Sequence, residues 1–148
     1  MAAEPPGRDR GETLLELLVA LAIMSVAVVA VVGGLYTSVL MSDIHRKQAT
    51  AGMAVRDYGE TITQVVNGGG YPATACAALT TSFTAPAGYT ATVLSERYWD
   101  GSAWRSSCGP DTGLRQLTIQ VASADARAAE RLTIEIRKPC GLTDAICA

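Results

Sequence analysis

The chain has 148 residues, of which 49% are hydrophobic and only 18% charged, with a formal net charge of −2. Such a composition excludes an intrinsically disordered chain and, on global charge, a strongly basic nucleic-acid binder. One histidine, His45, leaves little scope for acid–base or metal chemistry.

The first eleven residues, MAAEPPGRDRG, form a short head with Arg8 and Arg10. Pro5-Pro6-Gly7 disfavours a helix there. Residues 17–42 then carry no charge and no proline. As a helix these 26 residues reach about 39 Å, against roughly 30 Å of bilayer hydrocarbon. A cleaved secretory signal has an apolar stretch of only about 7–15 residues and a small-residue cleavage site. Here the run is longer, and Val31-Val32-Gly33-Gly34-Leu35 supplies no A-x-A pattern. A retained membrane segment is expected. Basic residues flank it evenly, with Arg8 and Arg10 before and Arg46 and Lys47 after, so charge does not set its orientation. All four cysteines, Cys76, Cys108, Cys140 and Cys147, follow the run. Disulfides are formed in oxidising compartments, which places the C-terminal part outside the cytoplasm.

Glu12 and Glu16 stand at the entry to this apolar run, four residues apart and on one helical face. A carboxylate near the bilayer centre costs about 2.5–3.5 kcal/mol, and less near the interface. Glu12 is consistent with the headgroup zone, where it meets the positive end of the helix dipole. Glu16 has two leucines on each side and calls for a partner. The segment Gly11-Glu12-Thr13-Leu14-Leu15-Glu16-Leu17-Leu18-Val19-Ala20 resembles the N-terminal processing motif of type IV prepilins and pseudopilins. The resemblance implies a leader ending at Gly11, cut by a membrane-embedded aspartyl peptidase that also N-methylates the new terminus, Glu12. Glu16 then takes the place of the family's glutamate, which neutralises a neighbour's terminal amine during assembly. Two positions depart from the family pattern. Glu12 stands where Phe or Met is common, and Gly33-Gly34 occupies the place of a helix-bending proline.

Past the membrane run, Ile44, Ala51, Val55, Tyr58, Ile62 and Val65 form one helical stripe. No proline interrupts residues 13–66, so one helix of about 54 residues is predicted. Asn67-Gly68-Gly69-Gly70-Tyr71-Pro72 ends it. Residues 71–88 read as an ordered loop. Strand signals follow over 89–99, then an Asp100-Gly101 turn and a short return from Trp104. Leu117, Ile119 and Val121 alternate with polar residues, as do Leu132, Ile134 and Ile136, with a polar connection over 122–131. The predicted class is α+β: a long N-terminal helix, transmembrane in its first half, packed on a three- or four-stranded antiparallel meander stapled by disulfides. The predicted division is a leader 1–11, an assembly helix 12–42 and an exported domain 43–148. That domain contains an amphipathic helix 43–66, a loop 67–88, a sheet 89–138 and a tail 139–148. Four cysteines allow three pairings. Local closure favours Cys76–Cys108 and Cys140–Cys147. A meander would bring Cys76, Cys108 and Cys140 to one edge, where the first strand begins and the second and fourth end.

No catalytic constellation, metal set or phosphate-binding loop is present in the sequence, and no cofactor or enzyme activity is expected. Residues 43–148 carry ten basic and ten acidic side chains, which argues against nucleic acid as a partner. Trp99 and Trp104 are read as a cross-strand pair rather than a stacking platform for bases. Resemblance implies a structural subunit of a pilus-like filament. Its partners would be copies of itself and other pilins, prepilin peptidase, assembly machinery of the cytoplasmic membrane, and lipid before assembly. Two alternatives are a secretion pseudopilin and a single-pass membrane protein with a ligand-binding outer domain.

Overall fold

A computed structural model describes the backbone of residues 9–109 and 112–140, and the side chains of 13–109 and 112–140. The chain divides into two units, Met1–Asp43 and Ile44–Ala148. Helix α1 covers Asp9–Val65. It is followed by a π-turn, Val66–Gly70. Four strands follow: β1 Tyr89–Trp99, β2 Trp104–Arg105, β3 Leu114–Ser123 and β4 Ala129–Arg137.

The glycine run explains where the helix stops. Gly69 adopts φ 88°, a conformation that L side chains rarely hold. At Gly70 a Cβ would stand 2.6 Å from Val65 Cγ1 and 2.8 Å from the Val65 carbonyl oxygen. The turn thus closes only because two successive residues lack side chains.

In the second unit the helical stripe meets the inner face of the sheet. Ala51, Ala54, Val55, Tyr58 and Ile62 are buried. The stripe ends on Val66, which is 2% exposed, rather than on Val65, which is half-buried. Opposite lie Leu117, Ile119 and Val121 of β3 and Ile136 of β4, all buried, with Leu132 and Ile134 partly so. Burying each large aliphatic side chain contributes about 1.5–3 kcal/mol. Gly59 marks a close approach of helix to sheet, since a Cβ there would lie 3.1 Å from Leu132 Cδ2. Loop 71–88 contributes Leu79 and Phe83 to this core. Phe83 stacks on Tyr58 with centroids 4.7 Å apart.

The sheet is antiparallel with order β2-β1-β3-β4, which corrects the consecutive meander expected from the sequence. The reason is the brevity of β2. Asp100 gathers the turn tightly, its Oδ1 accepting from Ser102 N and Ala103 N at 2.8 Å each. The return strand is two residues long and pairs only at Tyr98 and Trp99. The opposite edge of β1 is left for β3, which pairs with it from Tyr89 to Tyr98. β3 extends through Ser123 and β4 begins at Ala129, so their connection is shorter than the 122–131 expected.

The changed order also moves the cysteines. Cys108 and Cys140 lie toward the end of the sheet where β1 ends, β3 begins and β4 ends. A consecutive meander would have placed them at the start of β1. The Cys76–Cys108 disulfide is formed, with Cα atoms 5.9 Å apart. It ties the loop to the strip after β2. Cys140 is disulfide-bonded; Cys147, its expected partner, lies outside the described residues.

Candidate functional site

The candidate site is the apolar part of α1 and the residues at its head. From Thr13 to Met41 and Ser42 every described side chain is exposed. Leu14, Leu15, Leu17, Leu18, Leu21, Ile23 and the valines beyond are each at least half exposed. Within its own unit this surface has no protein covering. The helix is long and apolar enough to cross a membrane, with a mean hydropathy of 2.8 over its most apolar 18 residues. In water such a surface would be strongly unfavourable, at roughly 25 cal/mol per Å². Lipid or another apolar helix would relieve that cost.

Glu16 interrupts the surface. It is exposed and has no hydrogen-bond or ion-pair partner among the described residues. The backbones of Gly11 and Glu12 are helical; the Glu12 side chain lies outside the described atoms. Helical spacing puts positions 12 and 16 one turn apart on one face.

Gly33 and Gly34 do not break α1. Nothing lies within 4 Å of where their Cβ atoms would stand, so the space is open to a neighbour. Thr37 Oγ1 donates back to the carbonyls of Gly34 (2.9 Å) and Gly33 (3.2 Å). This satisfies the hydroxyl inside an apolar stretch without a second helix.

Two polar clusters among the described residues of the second unit tie separate elements together. Arg115 is fully buried. Its Nε donates to Tyr71 Oη at 2.8 Å, and Nη1 donates to the Ala77 carbonyl at 2.7 Å and Glu96 Oε1 at 2.9 Å. The guanidinium also lies against the rings of Tyr71 and Tyr98. Arg115 therefore joins loop 71–88 to β1 and β3, close to the Cys76–Cys108 link. Sequence reasoning passed over it. The available signal was phase: Arg115 falls on the same strand face as Leu117, Ile119 and Val121.

The other cluster fastens the β3–β4 turn to the helix. Lys47 Nζ donates to Asp125 Oδ2 at 2.5 Å, and Ser123 Oγ donates to Asp125 Oδ1 at 2.7 Å. Chiefly the Lys47 hydrogen bond, then that from Ser123, hold the Asp125 carboxyl well below its ordinary value of 3.8. Stability from this depressed carboxyl is fully present above the ordinary value. It is lost as pH falls through the lower, folded value. Asp125→Asn is expected to flatten the fall in thermal midpoint below about pH 4 while leaving its course between about pH 5 and 8 unchanged. Thermal unfolding of the two full-length chains across that range checks it.

No group of three His, Cys, Asp or Glu side chains able to hold a metal occurs among the described residues. His45 is exposed. Trp99 and Trp104 pair directly across β1 and β2, edge to face at 5.4 Å, the cross-strand arrangement expected from the sequence.

Residues 7–32 match the family model of the prokaryotic N-terminal methylation motif, the prepilin-type signal. Gly11, Glu12 and Glu16 all fall inside the matched segment. No match was found among curated proteins or among solved structures.

Proposed function

We propose that this chain is the precursor of a structural subunit of a type IV pilus-like filament, cut after Gly11 and assembled through residues 12–42. The observation that carries the reading is the pairing of a prepilin-type signal with a helix whose apolar surface has no covering in its own unit. Before assembly, acyl chains solvate that surface, and the C-terminal unit stands outside the cytoplasmic membrane. After cleavage the α-amine of Glu12, with an ordinary pKa of about 7.7–8.0, is cationic. Glu16 of an adjacent subunit neutralises it as the helices leave lipid and pack on one another. Either charge buried alone would cost several kcal/mol, so only a register that pairs them is favourable. Prepilin peptidase, other pilins and the membrane-bound assembly machinery are the partners this sequence of events requires. The motif is that of structural subunits rather than enzymes.

The deciding measurement is the intact mass and N-terminal sequence of the chain from cells with an active prepilin peptidase. The expected mature terminus is Glu12, and Gly11→Val is expected to retain the full head. A wild-type chain still carrying residues 1–11 in those cells overturns the proposal. A secretion pseudopilin would be processed identically, and microscopy of sheared surface fibres separates that reading from a pilus.

A further inference from the structure

The second unit carries a cavity that assembly through the apolar helix does not use. It opens beside the β1–β2 hairpin, has a volume of about 380 Å³ and is lined by Tyr98, Trp99, Asp100, Arg105, Ser107 and Gly109. Small-molecule sites are roughly 300–1,000 Å³. Its walls are held from several sides. Asp100 Oδ1 accepts from the Ser102 and Ala103 amides and from the Ser102 hydroxyl, and Oδ2 accepts from Arg105 Nε at 2.6 Å. The hydrogen bond from Arg105, then those from Ala103 and Ser102, hold the Asp100 carboxyl well below its ordinary value of 3.8. It therefore stays ionised at neutral pH and keeps the guanidinium in place. Thr112 Oγ1 donates to the Trp99 carbonyl at 2.7 Å, and Trp104 meets Trp99 edge to face. The Cys76–Cys108 disulfide ties down the strip that carries Ser107.

The groups left unclaimed select the ligand chemistry. The Asp100 carboxylate is engaged by the donors of its own turn and by Arg105. Arg105 is 60% exposed, and its Nη donors have no acceptor among the described residues. The Ser107 hydroxyl has no partner among them either. Tyr98 is buried, which leaves the Trp99 indole as the apolar wall and polar groups on the other sides. Such a cavity fits a ring that is apolar on one face, hydroxylated around its edge and substituted with a carboxylate. We propose that it binds a uronic-acid residue of a polysaccharide, with the ring against Trp99, the carboxylate on the Arg105 Nη donors and a hydroxyl on Ser107. A carboxylate on a fixed guanidinium makes a bidentate, charge-assisted pair. An aromatic acid would leave its second face in water, and a neutral sugar would leave the guanidinium unmatched. The inference does not depend on the filament reading.

Trp99 and Trp104 are the two tryptophans of the chain, so intrinsic fluorescence reports on the site directly. The full-length chain in detergent is titrated with a galacturonic acid trimer, with the neutral galactose trimer and with benzoate. The acidic trimer is expected to give a saturable change with a midpoint at or below about 1 mM. The neutral trimer and benzoate are expected to bind more weakly by about tenfold or more. Arg105→Gln, at an exposed side chain, is expected to raise the midpoint of the acidic trimer about tenfold, and Trp99→Leu, followed through Trp104, to do the same. Arg105→Lys keeps the charge but not the fork and is expected to fall between wild type and Arg105→Gln. No saturable change with the acidic trimer up to about 10 mM overturns the proposal. So does an equal midpoint for the neutral trimer or for benzoate, or a midpoint that Arg105→Gln and Arg105→Lys leave unchanged.

Discussion

Replacing Glu16 with valine is expected to reduce sheared surface fibres by a factor of about a hundred or more, while leaving the amount of membrane-bound chain unchanged. Two effects act in the same direction. Valine removes a carboxylate from the head of an apolar helix, so the subunit in lipid becomes more comfortable by up to about 2.5–3.5 kcal/mol, and by less if position 16 lies near the interface. The packed state loses its counter-ion at the same time. The terminal amine of the neighbour must then be buried unpaired, and removing one partner of a buried ion pair costs about 3–5 kcal/mol. At 1.36 kcal/mol per tenfold change, the second effect alone weakens assembly by roughly two to three and a half orders of magnitude. Glu12 lies one turn earlier on the same helical face and is the residue that could compete for the amine. The comparison of Glu16→Val with Glu12→Phe therefore assigns the role. Loss of fibres only with the first places the neutralising charge at Glu16. Normal fibre yield with Glu16→Val removes the assembly mechanism proposed here.

Elements with a strong period were legible in the sequence. Ala51, Val55, Tyr58 and Ile62 repeat at helical spacing, and all four are buried. Leu117, Ile119 and Val121 alternate, and all three are buried. Long segments of one period accumulate evidence over many residues, which is why the helix and strands β3 and β4 could be placed. The end of the stripe could not: Val65 and Val66 are chemically identical, and the glycine-driven change of winding over Val66–Gly70 chooses between them. The order of strands escaped for a related reason. A two-residue strand carries no period, so its residues do not mark how little of β1 it covers. Glu16, proposed above to act in assembly, is a different case. A carboxylate inside an apolar run is conspicuous because the bilayer penalises it, so Glu16 is marked by the sequence itself. Arg115 did not stand out, because one arginine at a strand terminus is ordinary. It acquires meaning only when loop 71–88 folds over it.

That arginine supports the second large effect. Arg115→Leu is expected to lower the stability of the second unit by about 3 kcal/mol, the low end of the cost of breaking a buried charge pair on one side, since Arg115 is fully buried while the Glu96 side chain keeps 22% exposure. Leucine fills part of the volume but leaves the Glu96 carboxylate, the Ala77 carbonyl and the Tyr71 hydroxyl oxygen without the donors that Arg115 supplied. It also removes the guanidinium from between two tyrosine rings. For a unit of this size the change corresponds to a fall in thermal midpoint of more than ~10 °C. Unfolding of the full-length chain in detergent, followed by the fluorescence of Trp99 and Trp104, measures it. Arg115→Lys is expected to fall between, since lysine keeps the charge but lacks the fork that reaches Tyr71 and Glu96 together. Opening the Cys76–Cys108 link by Cys76→Ser with Cys108→Ser releases the same loop and costs about 2–4 kcal/mol. Because both restraints hold one segment to one end of the sheet, their losses are not independent. Once the loop has detached, the second restraint has little left to hold. The combined variant should therefore lose less than the two separate losses together, whereas strict additivity would show that guanidinium and disulfide restrain different parts of the loop.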